Sequence, residues 1–376
     1  MTARLIYANS EGSADLYYAT KFFAPDPFLY VKQSDNTTHL ITSSLEIDRA
    51  RRSAKVSQVH DWQDINEQYK KSNPDKELKE GVLAAFFLQN LHIDSVEVPS
   101  DFPLFLADSL RGIGIKVTPI SSEFWPKRSI KTAQEIAAIE AALTITGKGM
   151  IAGIELIRSS TIADDGFLYI GSQKLTSELV RGEINAQLVR QGAQPSHTIV
   201  SGGSQGSDPH EEGTGPLPAN QPIILDVFPR VEQSGYWGDM TRTVCRGTAP
   251  KRVKEAWEAV LQGQEIGFAN IKDGASGKEI HQKITTHLTN KGFPTGPVAG
   301  GRQGGFFHGT GHGLGLEIHE SPRIGMKDQT LKTGHVVTVE PGLYYPDMGG
   351  VRLEDVVVVE KDGCRNLTKV PKFLEI

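Results

Sequence analysis

Histidines and carboxylates are concentrated between residues 308 and 355, in a pattern suited to metal chemistry. The stretch His308-Gly-Thr-Gly-His312-Gly-Leu-Gly-Leu-Glu-Ile-His319 places its imidazoles among too many glycines for a packed helix. Glu340 and Glu354 follow it in the segments Val-Glu-Pro-Gly and Val-Arg-Leu-Glu-Asp. Imidazole nitrogens and carboxylate oxygens are ligands with which proteins hold divalent metal ions. A metal-dependent active site is therefore the first hypothesis.

Two aspartates earlier in the chain stand at the ends of predicted strands. Asp226 ends the apolar run Pro-Ile-Ile-Leu-Asp, and Asp239 begins the run Asp-Met-Thr-Arg-Thr. Glycines lie between these two strands, so we expect a hairpin with a carboxylate at each facing end. Glu340 and Glu354 repeat the arrangement. Glu340 ends a predicted strand, because Pro-Gly follows it, and Glu354 lies in the next predicted strand. The repetition indicates an internal pseudo-symmetry.

The four carboxylates require cations if they are buried together, because desolvation and mutual repulsion would otherwise prohibit their burial. Two divalent ions balance this charge, and His312 completes the ligand set as a neutral nitrogen donor. An oxygen-rich set without sulfur suits manganese, cobalt or zinc, and we favour manganese. Two such ions can share a water, lower its pKa and make it a nucleophile at neutral pH. Any one of these residues alone is more often a solvated or structural residue, so the inference depends on the set.

Three further features are left outside the site. His197 and His335 are interpreted as structural histidines. The run that starts at Gly147, Gly-Lys-Gly-Met-Ile-Ala, fits the dinucleotide-binding pattern G-x-G-x-x-A. It lies inside a predicted helix with no strand before it, so we interpret the match as a coincidence.

Length and composition limit the classes of protein that this chain can be. At 376 residues the chain exceeds the usual size of a single core, so two unequal domains are expected. A net charge of -5 and a pI near 6.1 do not predict a nucleic-acid partner. Cys245 and Cys364 are too far apart for a zinc ribbon and do not suggest a disulfide framework. No signal sequence and no apolar run of about 20 residues is recognised, so we expect a cytoplasmic protein that does not enter membranes.

The domain boundary is predicted beside Pro126, where Thr132-Ala-Gln-Glu135 reads as a capping box that opens a long helix. Residues 1–125 alternate apolar runs, at 27–31 and 39–42, with polar helical stretches, which is typical of a mixed sheet flanked by helices. A helix is predicted at 44–57, and 81–88 is an apolar segment suited to burial. In residues 126–376 we predict helices at 132–158, 172–191, 251–270 and 276–290. Strands are predicted at 198–200, 223–225, 241–244, 335–340 and 351–359.

These motifs resemble those of the pita-bread metallopeptidases, the group of methionine aminopeptidase, prolidase and aminopeptidase P. The order of the segments around Asp239, His312, Glu340 and Glu354 is most similar to that of the proline-directed members. The resemblance covers essentially the whole chain, although the N-terminal motifs are less specific. It implies an α+β protein with a smaller creatinase-like α/β domain at 1–125 and a pita-bread catalytic domain at 126–376.

The resemblance also implies a role for each ligand. Asp226 chelates one metal ion, Asp239 and Glu354 bridge both ions, and His312 and Glu340 complete the other. Glu340 additionally carries a proton between the attacking water and the leaving proline nitrogen, a task that suits a carboxylate beside a metal.

Three residues are implied to act on the substrate, and the role of a fourth is left open. His210 matches a substrate-side histidine of the family, and His319 matches one that stabilises the tetrahedral intermediate. Arg352 matches an arginine that holds the site together and, in dipeptidases, contacts the substrate carboxylate. His308 is predicted either to support the His312 loop or to contact substrate.

The implied activity is hydrolysis of a Xaa-Pro bond at the N-terminus of a dipeptide or short peptide. Such a bond is a tertiary amide without an N–H, so it requires a dedicated pocket. A prolidase-type dipeptidase is favoured over an aminopeptidase P that acts on longer peptides. A creatinase-like amidinohydrolase or a non-catalytic binding protein is the alternative of another class, since fold alone does not decide function.

Two further implications concern assembly and the shape of the pocket. The resemblance implies a homodimer. Asp226 and Asp239 are thirteen positions apart, more than in most relatives, so the connection at 229–234 is expected to be longer and to reshape one wall of the pocket.

Overall fold

The computed structural model describes residues 2–74 and 80–376. Contacts divide the chain into two units, Met1–Arg128 and Ser129–Ile376. This division lies close to the boundary predicted beside Pro126. Short 3-10 helices lie at Pro126–Ser129, Gly203–Ser207 and Ala299–Gly301.

The first unit contains a mixed sheet with helices, as the alternation of apolar runs predicts. Its strands are β1 (Thr2–Ala8), β2 (Phe28–Lys32), β3 (Thr38–Thr42), β4 (Gln58–Asp61), β5 (Ser95–Pro99) and β6 (Lys116–Ile120). Its helices are α1 (Ala14–Thr20), α2 (Ile47–Ser53), α3 (Trp62–Ser72), α4 (Glu80–Asn90) and α5 (Leu104–Gly112). The strand order is β4-β3-β2-β1-β5-β6, with β2 antiparallel to both neighbours and the other pairs parallel. Helix α2 is shorter than the predicted 44–57, because Glu46 makes no side-chain cap and Ala54 is already extended.

Two histidines of the first unit contact each other and are held neutral by burial. His39 Nδ1 lies 3.1 Å from His60 Nε2, and His39 Nε2 lies 3.1 Å from Gln33 Oε1. The two imidazole rings stack, and Phe87 packs edge-on against both. Burial lowers the pKa of His39 from 6.5 to about 4, with His60 adding to the effect, and burial also lowers the pKa of His60. The neutral pair is therefore a pH-sensitive contact in the first unit.

We expect acid to destabilise the first unit through this pair. Below pH 6.5 these histidines bind protons in the unfolded chain but stay neutral in the folded protein. The free energy of unfolding therefore falls as the pH drops from 6.5 toward about 4. Hydrogen exchange of β2 and β3 at pH 7 and pH 5 measures this loss. The double variant His39→Gln, His60→Gln should show a smaller loss, whereas His92→Asn, at an exposed histidine, should behave like the wild type. An equal acid sensitivity in the double variant would refute the assignment.

The second unit is built from four long helices and several antiparallel sheets. Its helices are α6 (Ala133–Ser159), α7 (Ser177–Arg190), α8 (Lys251–Asn270) and α9 (Gly277–Asn290). Its strands before α8 are β7 (Thr161–Ile162), β8 (Leu168–Ile170), β9 (Gln173–Lys174), β10 (Ala193–Gln194), β11 (Ile199–Gly202), β12 (Ile223–Val227), β13 (Arg230–Val231) and β14 (Met240–Val244). The later strands are β15 (Gly296–Pro297), β16 (Gln303–Gly304), β17 (Gly311–Gly313), β18 (Glu320–Ile324), β19 (Val336–Val339), β20 (Gly342–Tyr345), β21 (Gly349–Arg352), β22 (Asp355–Val359) and β23 (Cys364–Asn366).

The two main sheets of this unit each carry a pair of helices. The sheet β11-β12-β14 shares a buried apolar core with α6 and α7, including Met150, Leu188 and Leu225. The sheet β18-β17-β19-β22-β23 shares another with α8 and α9, including Val260 and Val339. In both halves two helices cover an antiparallel strand pair, β12 with β14 and β19 with β22. This repetition agrees with the predicted pseudo-symmetry.

One predicted strand is wrong. Residues 351–359 do not form a single strand, because β21 ends at Arg352 and β22 begins at Asp355. β21 pairs with β20, whereas β22 pairs with β19, so the chain changes partner at Leu353 and Glu354. The sequence hides this break, since residues 351–359 are all buried, with Arg352, Glu354 and Asp355 among valines and a leucine, and they show no alternating pattern.

Helix α6 begins with the predicted capping box, in which the Thr132 hydroxyl and the Glu135 carboxylate bind each other's backbone N–H groups. Its glycines serve helix packing: a Cβ at Gly149 would lie 2.9 Å from Leu188 Cδ2 of α7. The match to the dinucleotide-binding pattern therefore lies inside α6, where Gly149 packs closely against α7. Among the described helices, α6 alone is long and apolar enough to cross a membrane by length and composition. Met150 on this helix is fully buried in the core.

Candidate metal centre

The four carboxylates lie at matching ends of the two central strand pairs. In the first pair Val227 faces Met240, which places Asp226 and Asp239 at one end of that ladder. In the second pair Val339 faces Asp355, so Glu340 and Glu354 adjoin each other just beyond the ladder. The backbone N–H of Glu340 donates to Thr310 O at 2.7 Å, and that of Glu354 donates to Thr241 O at 3.1 Å. The strands therefore bring all four carboxylates to the same side of the unit, where they line one cleft.

His312 reaches the same point from β17, which lies between β18 and β19. The neighbouring glycines are required because the strands approach closely. A Cβ at Gly311 would lie 1.9 Å from Thr338 O, and one at Gly313 would lie 2.3 Å from Ser321 O. The glycine-rich motif is thus explained by close backbone packing on both sides of one ligand.

The ligand atoms of Asp239, His312 and Glu354 all lie within 4.8 Å of one another, and all three residues are buried. His312 Nε2 is 3.6 Å from Asp239 Oδ2 and 3.3 Å from Glu340 Oε1. His312 Nδ1 is 3.1 Å from Gly313 O, which can only accept a hydrogen bond. Nδ1 therefore carries the ring proton, and Nε2 turns a lone pair toward the carboxylates.

Several of these atoms are acceptors that no donor satisfies. Asp226 Oδ1 and Glu354 Oε1 are buried without a hydrogen-bond partner. The other oxygens are bound: Glu354 Oε2 accepts from Thr241 Oγ1 at 2.8 Å, and Asp226 Oδ2 accepts from Arg352 at 2.6 Å. Buried acceptors that face one another are costly unless a cation lies among them. The residues therefore fit divalent metal ions both in donor chemistry and in their unsatisfied oxygens.

The electrostatics of the group lead to the same conclusion. Burial, followed by repulsion from neighbouring carboxylates, raises the pKa values of Asp239 and Glu354 well above their ordinary range. Burial raises the pKa of Glu340 to about 7, although Arg352 opposes the rise. Burial, together with the nearby His319, lowers the pKa of His312 to about 3 and so keeps its imidazole a neutral ligand. The site disfavours its own negative charge and favours a bound cation.

We expect the metal-free protein to lose stability as the pH rises. A carboxyl group whose pKa is higher in the folded than in the unfolded protein contributes its full stabilisation below the unfolded-state pKa. This stabilisation is lost as the pH rises through the folded-state pKa. For Glu340 the loss falls between pH 4.5 and about 7. Urea unfolding after chelation should therefore give a lower free energy of unfolding at pH 8 than at pH 5.5, and saturating manganese should remove most of the difference. Glu340→Gln should flatten the metal-free profile, and an unchanged profile would contradict this origin.

Arg352 is a buried cation that the protein itself places beside the candidate ligands. Its guanidinium is buried and donates to Asp226 Oδ2 at 2.6 Å, Tyr344 OH at 2.8 Å and Thr241 Oγ1 at 3.2 Å. A fourth bond, of 3.3 Å, goes to Pro209 O. These contacts favour the first of its two predicted roles, holding the site together, over contact with a substrate carboxylate.

The ligands open into a cleft of about 750 Å³. All the residues predicted to act on the substrate line it, as do the five predicted metal ligands: His210, His308, His319, Arg352, Asp226, Asp239, His312, Glu340 and Glu354. His319 packs its ring edge-on against His312, with 4.4 Å between ring centroids. His308 is half-buried, with Nε2 2.9 Å from Tyr344 OH and Nδ1 2.8 Å from Gly309 O. These two bonds favour a supporting role for His308.

The long connection between Asp226 and Asp239 is bound to other parts of the unit. Glu232 N donates to Gly192 O, and Trp237 N donates to Gly315 O. Of this connection, Phe228 is the residue that lines the cleft, within the part of the chain that the structure describes. Residues 229–234, which were expected to reshape one wall of the pocket, do not line the cleft.

Sequence reasoning missed the residues that orient the ligands and some that line the cleft. Thr338 donates to Glu340, and Gln264 of α8 donates to the carbonyls of Val339 and Leu353, which precede two ligands. Threonine in a strand and glutamine in a helix give no pattern that would distinguish them. Arg323 also lines the cleft, and its place four residues after His319 was a usable clue.

Comparisons with known proteins agree with this geometry. Residues 137–361 match the model of metallopeptidase family M24. The chain is 34% identical over 268 residues to an uncharacterised peptidase of Bacillus subtilis, covering 69% of this chain and 68% of that protein. It is 31% identical over 252 residues to a Xaa-Pro dipeptidase of Pyrococcus furiosus, covering 66% of this chain and 65% of that one, so the match spans slightly less than two thirds of that relative.

Solved structures resemble the chain over nearly its whole length. The X-Pro aminopeptidase of Thermotoga maritima has a TM-score of 0.81 at 24% identity, covering 100% of this chain and 98% of that chain. The prolidase of Pyrococcus horikoshii has a TM-score of 0.79 at 25% identity, covering 100% of this chain and 95% of that chain. The fold is thus shared by an X-Pro aminopeptidase and a prolidase.

Proposed function

Because the chain belongs to metallopeptidase family M24 and has its pita-bread fold, we propose that it hydrolyses Xaa-Pro bonds at the N-terminus of dipeptides or short peptides. The observation that carries the proposal is the buried group of acceptors, in which His312 Nε2 faces the oxygens of Asp239 and Glu340 at the base of a cleft. The 31% identical Xaa-Pro dipeptidase supports the choice of substrate.

We assign the ligand positions to two divalent ions, with manganese favoured over cobalt or zinc because the donors are mostly carboxylates. The residues that would hold them are Asp226, Asp239, His312, Glu340 and Glu354. When bound, the ions supply Lewis acidity and lower the pKa of water enough to make it a nucleophile at neutral pH. Arg352 holds Asp226 in place through its guanidinium.

The protein's own groups then bind the substrate and move protons. Glu340 takes the proton of the attacking water and delivers it to the proline nitrogen as the C–N bond breaks, which completes the proton balance. Thr338 Oγ1 donates to Glu340 Oε1 at 3.2 Å and so holds the orientation of this carboxylate. His319 donates a hydrogen bond to the carbonyl oxygen as the carbon becomes tetrahedral. His210, exposed at the cleft, contacts the substrate from its other side.

A prolidase-type dipeptidase remains our favoured form of the enzyme, with aminopeptidase P as the alternative. The cations Arg323 and Lys327 line the cleft and favour the dipeptidase, because they provide a receptor for a free carboxylate near the proline.

We propose further that residues 1–125 form a creatinase-like domain, and that the enzyme is a cytoplasmic homodimer. Sedimentation velocity tests the dimer.

The substrate class is tested by comparing Ala-Pro with Ala-Pro-Ala after reconstitution with manganese. We expect kcat/KM to be at least about tenfold higher for the dipeptide, the effect of about 1.4 kcal/mol in transition-state binding. Ala-Ala serves as the control without proline. A preference for the tripeptide would favour aminopeptidase P, and no cleavage of either peptide with bound metal would reject the proposed function.

A further inference from the structure

The loop that joins the two histidine positions closes around a buried carboxylate. β17 and β18 are paired, with Gly313 opposite Glu320 and a register shift after His312. The Glu320 side chain turns back into the loop, where Oε1 accepts from Glu317 N at 3.1 Å. A Cβ at position 315 would lie 2.7 Å from each Glu320 carboxylate oxygen. The loop therefore wraps tightly around this group.

Lys131 neutralises the carboxylate from outside the loop. Its Nζ lies 2.6 Å from Glu320 Oε2, and the two side chains are only 2% and 3% exposed. The backbone of Lys131 is itself bound, because its N–H donates to Gly334 O at 2.8 Å. The ion pair thus ties the loop to the segment that leads into α6.

A second attachment holds the opposite side of the loop. Trp237 Nε1 donates to Leu316 O at 3.1 Å, and Trp237 N donates to Gly315 O at 2.9 Å. Glu317 and His319 are exposed, so apolar burial does not hold these two side chains. Burial of Leu314 and Leu316 and the polar contacts to Trp237 and Glu320 together restrict this part of the loop.

Stability alone does not explain the ion pair. Removing two charges from water costs nearly as much as their attraction returns, and a well-packed apolar pair is often as stable or more so. A buried pair is better explained where it imposes one conformation on the groups around it. The group beside this pair is His319, adjacent to Glu320 in the chain and in contact with His312.

We propose that Lys131 and Glu320 are positioning residues that fix the loop at 314–319, so that His319 projects into the cleft beside His312. The inference rests on the proposed function in that His319 acts on the substrate. Neither Lys131 nor Glu320 lines the cleft, so both act through the loop.

The test replaces both charges by apolar groups, in Lys131→Met with Glu320→Leu, which avoids leaving one buried charge unpaired. We expect kcat for Ala-Pro to fall by about 10- to 100-fold, the range that misplacement of a catalytic group produces, with KM changed by less than about threefold. The deuterium uptake of peptides covering 313–320 should increase, while the bound manganese per chain stays at the wild-type value. The matched control is Glu140→Met with Arg365→Met, which removes an exposed ion pair between α6 and a residue distant in the chain.

Full wild-type kcat and unchanged exchange in the double variant would overturn the proposal. A lower kcat accompanied by loss of bound manganese would also overturn the proposal, because the pair would then act on the metal ligands. A lower kcat without faster exchange at 313–320 would overturn it as well, because the loop would then not depend on the pair. If the double variant does not fold, Glu320→Gln decides between the outcomes: faster exchange at 313–320 with a lower kcat supports positioning, and wild-type behaviour refutes it. An inactive wild type leaves the exchange measurement as the test, separate from the proposed function.

Discussion

Glu354→Gln is expected to abolish hydrolysis while making the metal-free fold more stable at pH 8. The glutamine keeps the size of the side chain and an oxygen for the bond from Thr241, but it removes one of the mutually repelling buried carboxylates. Activity should fall by more than about 100-fold, since even partners outside the ligand set are worth 10- to 100-fold. The free energy of unfolding after chelation should rise, because the raised pKa of Glu354 marks a charge that the fold disfavours.

Three measurements separate these effects. Hydrolysis of Ala-Pro and elemental analysis report the loss of function and of metal, and urea unfolding with and without manganese reports stability. Glu360→Gln, at an exposed glutamate close in the chain, is the matched control and should leave both unchanged. Asp239→Ala should also be inactive yet folded. Turnover retained in either ligand variant would contradict the two-metal assignment.

Arg352→Met is expected to destabilise the protein most strongly when metal is absent. Removing the guanidinium leaves Asp226 with its Oδ2 unpaired in addition to its Oδ1. Loss of one partner of a buried ion pair costs about 3–5 kcal/mol. Bound cations can take over part of the neutralisation, so manganese should recover a share of this loss.

The comparison with lysine shows whether charge or shape is responsible. Arg352→Lys restores a positive charge, but a single ammonium does not reproduce the planar fork that reaches Asp226, Tyr344 and Thr241 together. We expect Arg352→Lys to recover stability in urea unfolding more than it recovers kcat/KM. Arg252→Met, which removes an exposed arginine–carboxylate pair, is the control and should alter neither. Equal stability of Arg352→Met and the wild type after chelation would disprove the structural role.

The candidate metal ligands could be predicted because charged residues are uncommon in buried, mostly apolar segments. Asp226 follows a buried apolar run, and Glu354 lies with Arg352 and Asp355 in a buried stretch otherwise built of valine and leucine, so each is a buried charge that requires compensation. The glycines around His312 were equally visible, although their reason, backbone contact with β18 and β19, required coordinates. Of the long helices, α8 has the bounds that the sequence indicated, whereas α7 begins only at Ser177, because the short strand β9 occupies Gln173–Lys174 in the predicted range 172–191.

The positions that could not be predicted depend on partners distant in the chain. The break between β21 and β22 follows from pairing with two different strands, which no local pattern records. The contacts of Arg352 with Asp226, and of Lys131 with Glu320, join residues 126 and 189 positions apart. A long-range ion pair leaves no periodicity in the sequence, because it depends on how elements pack and not on propensity.

The sequence by itself determined which side chains can bind metal and that their charges require cations, because residue type and apolar context are local properties. The tertiary structure alone decided that these side chains meet at the base of one cleft, that Arg352 is occupied with Asp226, and that a buried ion pair lies beneath the loop of His319. The physical reason is that hydrogen bonds and charge compensation act across a few ångströms of space, whatever the distance along the chain.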